Sequence, residues 1–165
     1  MIAVKYMSTR LSKEQKGFSL VEVLVAMLVL SIGLLGLAAL QTTSMKFNTD
    51  SYNRTQATYF AYDIIDRMRA NSTAVADGGA YDIETTPAAA AFLVSTDPAC
   101  DTSSCNSASM AAYDLGKWYK RMSLVLPGAG TSLATINVDP TKLVIITVNW
   151  LERDLPKSQT WQIQL

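Results

Sequence analysis

Glu22 is the single charge in 23 consecutive positions, Phe18 to Leu40, which read FSLVEVLVAMLVLSIGLLGLAAL. A carboxylate in a bilayer-length apolar helix costs about 2.5–3.5 kcal/mol on insertion scales, so its presence needs a chemical reason. The residues just before it supply one. A cut between Gly17 and Phe18 creates an α-amine one helical turn from Glu22. The two charges can then pair, within one chain or between neighbours. In a place of low dielectric such a pair fixes register more than it adds stability. The plainer alternative is a carboxylate that snorkels to the membrane edge.

Other chemistry is sparse. The chain has no histidine, which removes Ser-His and Cys-His nucleophiles, imidazole bases and His-ligated metals. Cys100 and Cys105 are the only cysteines, and two thiols alone cannot build a four-cysteine metal site. No cofactor and no metal site is expected. Asp77, Asp82 and Glu84 lie near glycines, but their spacing fits no calcium loop and reads as a solvated turn. Trp118, Trp150 and Trp161 fall on apolar stripes and read as core residues.

The elements that position Glu22 are legible. As a helix, the 23 apolar positions span about 35 Å, enough to cross a hydrocarbon core of about 30 Å. Residues 1–17 carry Lys5, Arg10, Lys13 and Lys16 against Glu14 alone, net +3. The positive-inside bias keeps this leader in the cytoplasm and puts everything after Leu40 on the far side. A cleaved secretory signal fits less well. The apolar run exceeds the usual ~7–15 residues and continues without a break into more helix.

From Gln41 to Ala70 there is no proline or glycine, and Ala57, Phe60, Ala61, Ile64, Ile65 and Met68 recur at helical spacing. Asp50–Arg54 and Asp63–Arg67 are acid-first i,i+4 pairs. One helix is therefore expected from Phe18 to about Ala70, roughly 80 Å long, with Asn71-Ser72 as its stop. Its first half is apolar all round; its second half, amphipathic, needs a body on one side. Residues 71–106 read as a connection with little regular structure. It holds a turn at Asp77-Gly78-Gly79 and a possible short helix after Thr86-Pro87.

A second helix is expected over Ser107–Leu126, with Ala111, Leu115, Trp118, Met122 and Val125 on one stripe and Pro127-Gly128 ending it. Three strands follow at Leu133–Val138, Lys142–Leu151 and Thr160–Leu165, with a turn at Asp154–Lys157. The expected class is α+β: a long N-terminal helix packed on a small antiparallel sheet, with a second helix. The segments are 1–17 (leader), 18–40 (membrane and assembly half), 41–70 (amphipathic half) and 71–165 (globular domain). Beyond residue 17 there are 10 basic and 13 acidic residues, net −3, which argues against a large phosphate-binding surface.

KGFSLVEVLVAMLVLSIGLLGLAAL (16–40) resembles the class III signal of type IV prepilins and pseudopilins. The resemblance implies cleavage after Gly17 by a prepilin peptidase, methylation of the new N-terminus at Phe18, and docking into a filament guided by Glu22. A start at Met7 instead of Met1 would shorten the leader. Major pilins often carry a proline in the apolar helix; this chain has none, and Gly33 and Gly36 are expected to lend flexibility instead. AYDIIDRMRAN (61–71), the two cysteines, AAYDLGKWYKRMSLVLPGAG (111–130) and ITVNWLER (146–153) resemble PilV-type minor pilins. Where that family often has two adjacent glycines after the proline, this chain has Gly128-Ala129-Gly130.

That likeness implies a structural subunit, not an enzyme, priming or modifying pilus assembly near the pilus tip. Its partners would be the peptidase, other minor pilins, the major pilin, the inner-membrane assembly platform and a tip adhesin. Its expected location is the bacterial inner membrane, single-pass, with the C-terminal domain in the periplasm, and then the pilus. In that oxidising compartment Cys100 and Cys105 are expected to form a disulfide. Two other readings are a minor pseudopilin of a type II secretion system, which shares the N-terminal signal, and a DNA-uptake pilin.

Overall fold

The computed structural model describes residues 17–76, 79–83, 99–128 and 134–165. The leader before Gly17, the Asp77-Gly78 half of the expected turn, Glu84, the segment after Thr86-Pro87, Ala129-Gly130 and Leu133 lie outside the described residues. Helix α1 runs unbroken from Leu20 to Ala70. The chain divides into two compact units, one ending at Met45 and the other beginning at Lys46. In the first unit α1 has no buried residue, as an apolar helix with no body of its own requires.

In the second unit, α1 buries Asn53, Ala57, Phe60, Ala61, Ile64, Ile65 and Met68. Helix α2, Ser72–Ala76, follows at once, and α3 spans Ser107–Val125. Strands β1 (Ala134–Val138), β2 (Leu143–Glu152) and β3 (Leu155–Gln164) form one antiparallel sheet in the order β1-β2-β3. Val144, Ile146, Val148 and Trp150 alternate inward on β2 and join α1 and α3 in a single core. The expected α+β arrangement holds.

Four details depart from the expectation. Val125 is 37 % exposed and Leu126 is buried in its place, because the helix ends there and the chain turns inward. The turn between β2 and β3 is Arg153-Asp154, not Asp154–Lys157. Both residues have positive φ, 53° and 62°, as a two-residue hairpin turn of matching twist demands. Pro156 therefore sits inside β3, which the sheet tolerates because β3 is an edge strand. Asp50 pairs with Arg153 across the fold at 3.1 Å rather than with Arg54. In the supposed connection, Tyr81 and Ile83 are buried, and Ile83 exchanges backbone hydrogen bonds with Ile136 on β1.

Gly128 is required where it stands. Its φ is +88°, and a Cβ there would lie 2.5 Å from Leu151 Cγ. Gly128→Ala is expected to destabilise the second unit by about 1–3 kcal/mol through backbone strain and overpacking, read as a lowered urea midpoint.

Candidate assembly site

The start of α1 is built by local capping. Ser19 Oγ accepts from the Val21 N–H at 3.3 Å, and the Ser19 carbonyl accepts from the Glu22 N–H at 3.0 Å. This places Glu22 in the first helical turn, where the positive end of the helix dipole favours a carboxylate. Phe18 is 85 % exposed just outside the helix. Glu22 has no side-chain hydrogen bond or ion pair among the described residues.

The surface around it is apolar on every side. The least exposed large apolar side chain between Leu20 and Leu40 is Val23, still 48 % exposed. The hydroxyls near this stretch satisfy themselves: Ser31, Thr42 and Thr43 donate to the carbonyls of Met27, Ala38 and Ala39 at 2.7, 3.0 and 3.0 Å. They therefore cost little in lipid or against another apolar helix. Glu22 is the one polar side chain between Leu20 and Leu40 left without a partner among the described residues. The helix is long and apolar enough to cross a membrane. It passes through Gly33 and Gly36 without a break, and a Cβ at either would touch nothing within 4 Å.

The body that carries α1 is fastened by a polar network. Arg67 Nη1 donates to Asp114 Oδ1 at 2.8 Å, and the Tyr81 hydroxyl donates to Asp114 Oδ2 at 2.7 Å. Asn71 Nδ2 donates to the Tyr81 hydroxyl at 3.2 Å and to the Ser107 carbonyl at 2.8 Å. Asp63 bridges Arg67 at 3.2 Å and Arg121 at 2.7 Å. Trp118 Nε1 donates to the Phe60 carbonyl at 2.8 Å, and Trp150 Nε1 to Glu152 Oε1 at 2.9 Å. Trp118 and Trp150 are core residues; Trp161 is partly buried against them.

Cys100 and Cys105 are joined in a disulfide, Cα to Cα 5.5 Å. It closes a short loop just before Asn106, whose Oδ1 caps α3 by accepting from the Ser109 N–H at 2.8 Å. The loop so fixed delivers Ser107 to Asn71 at the end of α1. Alkylation without reductant is expected to leave both cysteines unmodified in mass spectra; full labelling would contradict the bond.

Burial works against the charge of Arg67, but its bond to Asp114 and the charge of Asp63 outweigh it and hold its pKa above the ordinary value. Burial, reinforced by the bond to Asp114, pushes the Tyr81 phenol well above the tyrosine range, and burial does the same to Tyr119. The sign follows. Above pH ~10 the unfolded chain loses phenolic protons that the folded chain keeps, so stability present below that pH is lost as pH rises past it. The urea midpoint is expected to fall between pH 9 and 11 (roughly the ordinary tyrosine range), and to fall less in Tyr119→Phe.

Two parts of this geometry escaped the sequence reading: the Arg67–Asp114–Tyr81 cluster and the burial of Tyr81. The alternation of Tyr81 and Ile83 was the available signal. Asp82 is the one described member of the acidic loop residues, and among the described residues no three metal-binding side chains come together.

The first unit is thus an exposed apolar helix whose one carboxylate has no partner among the described residues, and the second is a small α+β body. Residues 39–116 match the family model described as type IV pilin Tt1218, and residues 12–38 match the prokaryotic N-terminal methylation motif. No curated protein and no solved structure matches. Together the two matches support a pilin subunit of the type IV class with a prepilin methylation motif. Such domains are structural and not enzymatic. The motif implies processing by prepilin peptidase and assembly with other pilins, and with the apolar helix it fits membrane anchoring and incorporation into a pilus.

Proposed function

We propose that the chain is a minor pilin that primes or modifies type IV pilus assembly near the pilus tip. Cleavage falls between Gly17 and Phe18, and Phe18 is methylated. The second unit faces the periplasm while residues 18–40 span the inner membrane. Glu22 then pairs with the Phe18 amine of an adjacent subunit as each one docks. The observation that carries the pilin mechanism is the Glu22 carboxylate, without a partner among the described residues, in the apolar and exposed stretch from Leu20 to Leu40. The minor role rests on the likeness of residues 61–71, 111–130 and 146–153 to PilV-type minor pilins. Those segments meet in the fold: Arg67 holds Asp114, and the Leu151 N–H donates to the Pro127 carbonyl at 2.9 Å. The partners are other minor pilins, the major pilin, a tip adhesin and the assembly platform.

The test is the amount of pilus sheared from a clean deletion strain, beside the same strain with the gene restored. Loss of pili with recovery on complementation supports the reading. Unchanged pili overturn it in favour of the secretion-system pseudopilin.

A further inference from the structure

The two edges of the sheet are finished differently. On the free side of β1, Ile83 exchanges backbone hydrogen bonds with Ile136. On the free side of β3, no described residue pairs. The ladder fixes which groups point there. The Leu165 N–H donates to the Lys142 carbonyl at 3.1 Å, so Leu143 and Gln164 face each other as a non-hydrogen-bonded pair. Alternation then turns the N–H and C=O groups of Ser158, Thr160, Gln162 and Gln164 away from β2. Edge strands are normally blunted by proline, lysine, a bulge or short length. Pro156 and Lys157 guard only the start of β3. From Ser158 to Leu165 there is no proline, glycine or charge, and the register with β2 is unbroken.

The core also runs out at this edge. Val144, Ile146 and Val148 on β2 are fully buried, but the residues opposite them, Ile163, Trp161 and Gln159, are only partly so. Two clefts open between the helices and this row. One, about 600 Å³, is lined by Arg54 and Thr58 with Gln159; the other, about 240 Å³, by Met68 and Val75 with Leu165. They mark the ends of one seam, Gln159 to Leu165, about 20 Å of strand. An extended segment added to β3 satisfies the free backbone groups and lays every second side chain over that seam.

Charge selects the segment. Arg54 at one end of the seam, Lys142 at the other and Lys157 on β3 are exposed and have no carboxylate partner among the described residues. Asp50 is taken by Arg153, Asp66 by Arg69, and Asp139 bonds within its own turn. Asp154, at the hairpin tip, is the exposed carboxylate that remains at this edge. A second copy of β3 brings the same cations, so in either direction the Lys157 and Lys142 ends meet like charge.

We infer that β3 takes a fourth strand from a different pilin, apolar at alternate positions and carrying carboxylates at its ends. The donor's backbone pairs with Ser158, Thr160, Gln162 and Gln164. Its apolar side chains cover Trp161 and Ile163, and its acids meet Arg54, Lys157 and Lys142. The choice of a pilin as donor rests on the assembly reading above; the strand addition does not.

The test uses the full chain in detergent micelles at low ionic strength and a synthetic peptide, Glu-Val-Thr-Val-Thr-Val-Thr-Val-Glu. Amide exchange is followed by NMR. The expected result is saturable slowing, by at least about tenfold, at Ser158, Thr160, Gln162 and Gln164, with Trp161 and Ile163, already bonded to β2, unchanged. The same peptide with lysine at both ends is expected to bind at least about tenfold more weakly. Thr160→Pro removes one outward N–H and leaves the ladder to β2 intact, so the variant is expected to lose the peptide. The glutamate-ended peptide N-methylated at alternate amides makes the same control on unaltered protein, and is expected not to bind. No slowing by the glutamate-ended peptide at about 1 mM overturns the inference and leaves the pilin reading, which the deletion strain tests, standing. Equal binding of the N-methylated peptide overturns strand addition, and equal binding of the lysine-ended peptide overturns the acidic donor. Slowing that appears without peptide and grows with protein concentration means that a second copy covers the edge, and also overturns the inference.

Discussion

Glu22→Ala leaves the chain inserted and cut, yet lowers its incorporation into sheared pili at least about tenfold, the cost of leaving one member of a buried charge pair alone. Insertion itself becomes easier, because the charge that cost about 2.5–3.5 kcal/mol at the bilayer is gone. The two effects have opposite signs, which makes the variant informative. Glu22 has no partner among the described residues, so its removal breaks no contact among them. Glu22→Gln separates charge from shape: it keeps the size and a hydrogen-bonding oxygen, and is expected to assemble nearly as poorly as Glu22→Ala. The measurement is the ratio of pilus-borne to membrane-borne subunit by immunoblot. Normal incorporation of either variant would remove the pairing mechanism.

Asp114→Ala is expected to destabilise the second unit by about 3 kcal/mol, a large share of the ~5–15 kcal/mol that holds a domain together. The carboxylate is buried and takes two charge-assisted or neutral hydrogen bonds at once, from Arg67 at 2.8 Å and Tyr81 at 2.7 Å. Removing it strands a partly buried guanidinium and a buried phenol. Arg67 keeps Asp63, so the loss stops short of a wholly uncompensated charge. A drop in Tm of about 10 °C or more is expected by thermal circular dichroism. Asp114→Asn retains one acceptor and should fall between. A wild-type Tm in Asp114→Ala would mean that the network orders the surface without stabilising the fold.

The long helix was legible because its two halves obey simple rules. An unbroken apolar run followed by a 3.6-residue stripe, with no proline or glycine from Gln41 to Ala70, leaves few alternatives. The middle strand was legible from the alternation of Val144, Ile146, Val148 and Trp150. The hairpin was misread because Pro156 signals a turn and Arg153-Asp154 does not. Neither residue of that pair is glycine, and only an edge strand could absorb the proline beside them. Asp50 was assigned to its helical neighbour because sequence displays i,i+4 spacing and conceals Arg153, 103 residues away. Tyr81 was lost for a related reason. Its value lies in Asp114 on α3 and Asn71 at the junction of α1 and α2, both distant from it in sequence. The proposed assembly site rests on Gly17, Phe18 and Glu22, which sequence displays because they are neighbours on one short stretch of chain.

The distance along the chain between α1 and what covers it has a consequence for biosynthesis. Phe60 is made 58 residues before Trp118, and Asp50 is made 103 residues before Arg153. At about 5–20 residues per second, the face formed by Phe60, Ile64 and Met68 stays bare for several seconds after it emerges. A nascent subunit passes through that interval as a helix with half a core, open to proteases and to other nascent chains. Its yield is then governed by how fast α3 and the sheet arrive, as much as by the stability they confer once in place.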